Sequence, residues 1–156
     1  MRILGQGFVI AAALAGVLGL GTLASAQQSP QAVNDSRQNA MKSIGAEMKA
    51  IGDGSKAGSL TKDEAVTRAK KLNDLANQLN SWFPAGSGPE SGVKTRALPA
   101  IWEKPSDFRA AADKFGLETA KLVAAAETGN NPAIAAQHGE VGKACGGCHT
   151  PFRARQ

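Results

Sequence analysis

The sequence predicts an all-α protein, built as a four-helix bundle. Three observations carry this. Four stretches place apolar residues at helical spacing, i, i+3, i+4 and onward. No stretch sustains the period-2 alternation of a half-buried strand. The breaks between the stretches carry helix-capping residues, proline and glycine.

Ser29-Pro30 suits the start of the first helix, because proline fits the first turn. Val33, Arg37, Met41, Ile44, Met48 and Ile51 then mark one face, and Asp53-Gly54 is expected to end it. Thr61-Lys62-Asp63-Glu64 matches a capping box for the second helix, whose stripe is Ala65, Ala69, Leu72, Leu75 and Leu79. A long connection follows, "WFPAGSGPESGVKTRALPAIWEKP", rich in proline and glycine and holding both tryptophans. Connections of this length are functional or forced by topology. Trp82 and Trp102 are read as packing residues that close it over the bundle. The third helix starts at Pro105, carries Phe108, Ala112, Phe115, Leu122 and Ala126, and stops at Gly129. Asn131 is the expected N-cap of the fourth, with Pro132 in the first turn and Ile134, Val141, Cys145, Cys148 and Phe152 on one face. Four such helices bury their stripes most simply against one another. The stripes are rich in alanine, which implies either closely approaching helices or room for something flat and apolar.

Residues 1–26 read as a cleaved signal peptide: Arg2, an apolar run from Phe8 to Leu23, then Ala24-Ser25-Ala26. The run falls short of the roughly 20 residues that span a bilayer. Residues 27–156 then form one domain, exported to the periplasm and free of the membrane. Loss of Arg2 lowers the formal net charge from +5 to +4. The charges are scattered, without the basic block of a nucleic-acid binder. No acid/base pair or nucleophilic constellation is visible, so the chain is not read as an enzyme.

The chain's two cysteines lie in "CGGCH", Cys145 to His149. Cys-x-x-Cys-His is the attachment signature of a c-type haem. Two thiols at this spacing add to the two vinyl groups at one porphyrin edge, and the next histidine falls under the iron. Gly146 and Gly147 present no side chains to obstruct the approach. A redox dithiol, half a zinc site and a plain disulfide are the rivals. The dithiol wants a strand followed by a helix N-terminus, whereas this motif lies deep in a helical pattern. Zinc needs four ligands, and only His138 and scattered carboxylates remain. His138 itself is read as a half-exposed helix residue. One covalent haem c is the preferred reading. It suits export, and it also gives the alanine-lined interior something to hold.

A four-helix chain with "CGGCH" near its C-terminus resembles the class II cytochromes c, the cytochrome c′ family. "RQNAMKSIG", "WFPAGSGP", "TRALPAIWEKPSDF" and "GKACGGCHTPFR" carry the resemblance across the whole chain after the leader. That family is itself a standard example of the up-down-up-down antiparallel bundle. The resemblance implies thioethers at Cys145 and Cys148 and an axial iron ligand in His149. It places Arg37 and Gln38 against the haem and its propionates, and Thr95 and Arg96 at further haem contacts. Arg96 stands where many relatives have an acid. Arg153, four residues after His149, is implied to lie over the proximal face. Pro151 departs from the polar residues usual there and should kink or fray the helix past the ligand.

Met41 shares a helix face with Arg37; if Arg37 reaches a propionate, as the resemblance implies, Met41 points toward the iron's other side. The resemblance allows two outcomes. In cytochromes c′ proper this residue packs over a five-coordinate, high-spin iron that binds small neutral gases such as NO and CO. In low-spin members Met41 would be the sixth ligand of an electron shuttle. The first is favoured, with gas binding, electron transfer to redox partner proteins, or both as the role. Pairing as a homodimer through the first two helices is also implied.

Overall fold

Ser29 begins the first helix as expected: its hydroxyl accepts from the Ala32 amide at 3.2 Å, with Pro30 in the first turn. The computed structural model describes residues 28–155, so the expected leader, residues 1–26, lies outside the described residues. The helices are α1 (Pro30–Ala57), α2 (Lys62–Gln78), a single turn α3 (Ala100–Glu103), α4 (Pro105–Thr128) and α5 (Asn131–Phe152). None of them is long and apolar enough to cross a membrane. The four long helices form the antiparallel bundle.

Side-chain contacts fix the register. Lys71 and Arg68 of α2 meet Glu47 of α1. Asn73 faces Thr119, and Asn80 faces Asp113, across α2 and α4. Gln137 reaches Glu118 across α4 and α5. Ser55 and Met48 of α1 meet Asn131 and His138 of α5. In each pair one helix descends as the other rises, which is the up-down-up-down order.

Two apolar clusters fill the bundle. The larger includes Ile51, Ala69, Leu72, Leu122, Ala126 and Val141, each 1 % exposed or less. Full burial of one such leucine stabilises by about 1.5–3 kcal/mol. Alanines on α2 and α4 line the most extensive helix contact, so here they serve close approach. The smaller cluster, at the end where α5 finishes, joins Leu79, Ile101, Phe108, Ala112 and Phe152. Its aromatic rings stack edge to face: Phe83 on Phe108 at 4.8 Å and Phe108 on Phe152 at 5.3 Å.

Several sequence expectations shift. α1 runs past Gly54 to Ala57 and ends at Gly58, whose φ of 66° closes the left-handed cap. Gly54 stays helical with Leu60 folded back on it, so that an added Cβ would stand 3.2 Å from the leucine side chain. Only half of the capping box forms: Thr61 accepts from the Glu64 amide, while the Glu64 carboxylate goes to Arg68. The N-cap of α5 is Asn130, not Asn131; Asn131 bonds Ser55 instead. The long connection folds into two short 3-10 turns and α3.

Candidate functional site

The last two turns of α5 carry Cys145, Cys148 and His149, all half-buried, with both thiols free. Cys145 packs against the larger apolar cluster and Cys148 against the smaller, so the motif straddles their junction. Burial pushes both thiols above their ordinary value, and Cys145 adds to the effect at Cys148. At Gly146 and Gly147 nothing lies within 4 Å of where a Cβ would stand. The face between the thiols is therefore open. Burial, then the charges of Arg153 and Arg96, holds the His149 imidazole below its ordinary value, in the neutral form that binds metals.

Pro151 lies within the final turn, and α5 stops one residue later. Arg153 leaves in extended geometry, φ −130° and ψ 128°, while its amide still donates to the His149 carbonyl at 3.0 Å. Arg153 thus keeps the i, i+4 amide bond to His149 as the C-cap, while the chain turns out of the helix at this residue. The tail instead pairs with the connection: Leu98 donates to the Phe152 carbonyl at 3.0 Å and Ala154 to the Arg96 carbonyl at 2.8 Å. The Arg96 guanidinium donates twice to the Ala154 carbonyl.

Arg37 is buried, 4 % exposed, and committed to protein partners. Its Nη2 donates to Asn34 Oδ1 at 3.0 Å, the Ser87 carbonyl at 3.2 Å and Thr95 Oγ1 at 3.3 Å. The guanidinium also sits 4.6 Å from the centre of the Phe83 ring. Desolvation pulls its pKa down, since no carboxylate answers the charge among the described residues. Arg37 therefore clamps the connection to α1. Thr95, whose hydroxyl also accepts from the Ala97 amide, is part of that clamp. Gln38 is exposed.

Met41 is half-buried and touches both clusters, the smaller of which it shares with Cys148. Met41 and the motif thus converge from α1 and α5 on one region. His138 lies elsewhere: its Nε2 is 2.8 Å from the Met48 carbonyl, with the ring against Gly52. Trp102 donates to the Pro84 carbonyl at 3.0 Å and Trp82 packs on both clusters, the closing role expected of them. Asn34 and Ser87, both buried, were missed by sequence reasoning. For Asn34 a signal existed: it stands three residues before Arg37, within one turn of the same face.

The residues fit haem c. Two free thiols three positions apart on one helix, open space at the two glycines between them, a neutral imidazole and an apolar junction are the donor set and setting it needs. Among the described residues no group of three or more histidine, cysteine or acidic side chains could hold a metal ion by itself.

A family model described as Cytochrome C′ matches residues 31–153. Cytochrome c′ of Rhodospirillum rubrum is 33 % identical over 147 residues, covering 94 % of this chain and 97 % of its own. Cytochrome c-556 of Agrobacterium tumefaciens is 33 % identical over 123 residues, covering 78 % and 97 %. The crystal structure of cytochrome c′ from Rubrivivax gelatinosus superposes with a TM-score of 0.74 at 31 % identity, over 81 % of this chain and 98 % of that one. With a motif, a bundle and a site that agree with these relatives, the chain belongs to the cytochrome c′ family, whose members carry covalently bound haem c.

Proposed function

We propose that this chain is an exported, periplasmic cytochrome c′ that holds one haem c with an open sixth position, binding NO or CO, passing single electrons, or both. Cys145 and Cys148 would form the two thioethers and His149 the axial bond. Haem c, when bound, supplies an iron that takes small neutral ligands and cycles between ferrous and ferric. The protein's part is to present a neutral imidazole, to exclude water and anions with apolar walls, and to hold the connection over the site through Arg37.

The observation that carries the open-site reading is the packing of Met41. Its side chain is held by both clusters at their junction, the gap-filling use to which flexible methionine is well suited. A point mutant of cytochrome c prime from Alcaligenes xylosoxidans, which has the same fold, has been solved as its nitric oxide complex. A second reading keeps Met41 as sixth ligand of a low-spin electron shuttle, favoured by its convergence with Cys148 on one cluster. The ferrous absorption spectrum separates them. A broad single α band that shifts on adding CO supports the open site; a sharp, split band insensitive to CO overturns it. The Met41→Ala variant should leave the wild-type spectrum unchanged in the first case and lose the sharp band in the second.

Pairing of two copies through α1 and α2 belongs to the same proposal. A relative of this fold is described with ligand-controlled dimer dissociation. Gel filtration with and without CO tests it.

A further inference from the structure

We propose that the paired segments 94–97 and 152–155 form a cationic docking face for the acidic surface of a redox partner protein. The inference rests on the haem reading above. Lys94, Arg96, Arg153 and Arg155 all lie in these two short segments, and all four are exposed. The segments contain no acid. The backbone holds them side by side: Ala154 donates to the Arg96 carbonyl at 2.8 Å, and Ala97 and Arg153 pair as an antiparallel bridge. Arg96 folds its guanidinium over the tail onto the Ala154 carbonyl, next to two further arginines.

Like charges gathered this way repel, and no acid among the described residues forms an ion pair with them. The seven ion pairs of the described residues lie elsewhere on the bundle. Glu90, the acid in the middle of the connection, is turned back onto the Gly88 amide at 3.1 Å. Two haem propionates, even if both fell here, would neutralise half of the four cations. The remaining excess stands at the edge of the site, since the Arg153 amide donates to the His149 carbonyl at 3.0 Å and the Arg96 guanidinium lies on the Ala154 carbonyl, one residue on. A partner docking here is brought to the redox centre by the same field that attracts it.

The test is stopped-flow oxidation of the ferrous holoprotein by hexacyanoferrate(III). One electron leaves the ferrous haem, giving ferric haem and hexacyanoferrate(II), and no proton moves. Two variants of equal net charge are compared. Lys94→Gln/Arg155→Gln removes charge from the face without touching the residues placed around the haem. Lys56→Gln/Lys62→Gln removes it from the opposite end, where Lys62 lies against Gly129. At about 10 mM ionic strength, where charges act over about 30 Å before they are screened, the first should slow oxidation about three- to tenfold. The second should change it by less than about 1.5-fold, and the difference should vanish near 1 M salt, where the screening length is about 3 Å. Soluble polyglutamate should slow the wild type and not the first variant. Equal slowing in both variants reduces the effect to net charge and overturns the proposal. Protection by phosphatidylglycerol vesicles but not by polyglutamate overturns it in favour of a membrane surface. A preparation without a Soret band sinks the haem reading instead, so the two failures are told apart before any rate is measured.

Discussion

Replacing Arg37 with methionine keeps the apolar stem and the length while deleting the guanidinium, and the structure sets the size of the effect. Three donations of 3.0–3.3 Å disappear, leaving the Ser87 carbonyl, Asn34 Oδ1 and Thr95 Oγ1 without that donor. Bonds from a charged donor contribute about 1.5–3 kcal/mol each when counted singly. The contacts to the Trp82 carbonyl at 3.4 Å and Ser87 Oγ at 3.5 Å are too long to add much. The ring contact with Phe83 adds about 0.5–2 kcal/mol. Against this, the wild type desolvates a cation that has no carboxylate partner among the described residues, and the variant is relieved of that cost. Three clustered bonds are also not additive. The balance is a loss of about 3 kcal/mol.

For a domain of this size, with a urea slope of about 1.5 kcal/mol per molar, the unfolding midpoint should fall by about 2 M. Far-ultraviolet dichroism reads the helices and haem absorbance reads the site. The site signal should broaden first, because the connection is what Arg37 holds. A midpoint within about 0.5 M of wild type would refute the clamp. If the guanidinium instead served a propionate, the reduction potential would move while the urea midpoint stayed in place.

Glu47 is held below the ordinary carboxylate range by Lys71 first, against the opposing effect of its own burial, with Arg68 adding to the lowering. A folded value below the unfolded one contributes stability above the unfolded value, about 4.3, and loses it as pH falls through the folded value. Glu47→Gln should therefore cost about 1–2 kcal/mol at pH 7, since both cations are partly solvated, and should flatten the acid limb of a urea-midpoint profile. Cys145→Ser/Cys148→Ser should leave no haem on the chain after denaturation, read by intact mass, whereas the wild type retains it. Gly52→Ala would place a methyl 3.0 Å from the His138 ring; expelling that ring from the Met48 carbonyl should cost about 1–2 kcal/mol in urea unfolding.

What the sequence disclosed was what local chemistry decides. Helix starts at Ser29 and Thr61 were legible because a cap acts within three residues of itself, and the start at Pro105 because proline suits the first helical turn. The haem motif was legible for the same reason. The end of α1 was misread because Gly54 and Gly58 are equally good stops in isolation, and only the return of Leu60 decides between them. Asn130 and Asn131 were confused for a like cause: the choice depends on Ser55, far away in the chain. Arg37 was placed on the first helix, but its partners other than Asn34 lie 45 to 58 residues onward, in a segment without periodicity. The tail ladder had no sequence signal, because an isolated bridge follows no repeating pattern.

The two apolar clusters explain why the site sits where it does. In the larger, Ala69, Leu72, Leu122, Ala126 and Val141 are sealed from solvent, and close-packed interiors of this kind resist insertion. In the smaller, Met41, Trp82, Phe83, Trp102 and Cys148 are large or soft side chains left half-buried around a core of only five residues. α1 packs on α5 far less extensively than α4 does. At this end polar bonds from Asn34 and Arg37 to the connection tie it down. A flat apolar group entering between α1 and α5 would displace half-buried surface rather than a finished core, while those polar ties keep the helix in register. The open sixth position proposed for this chain would draw on this combination: apolar walls that can part slightly, fastened at points that do not depend on the walls being closed.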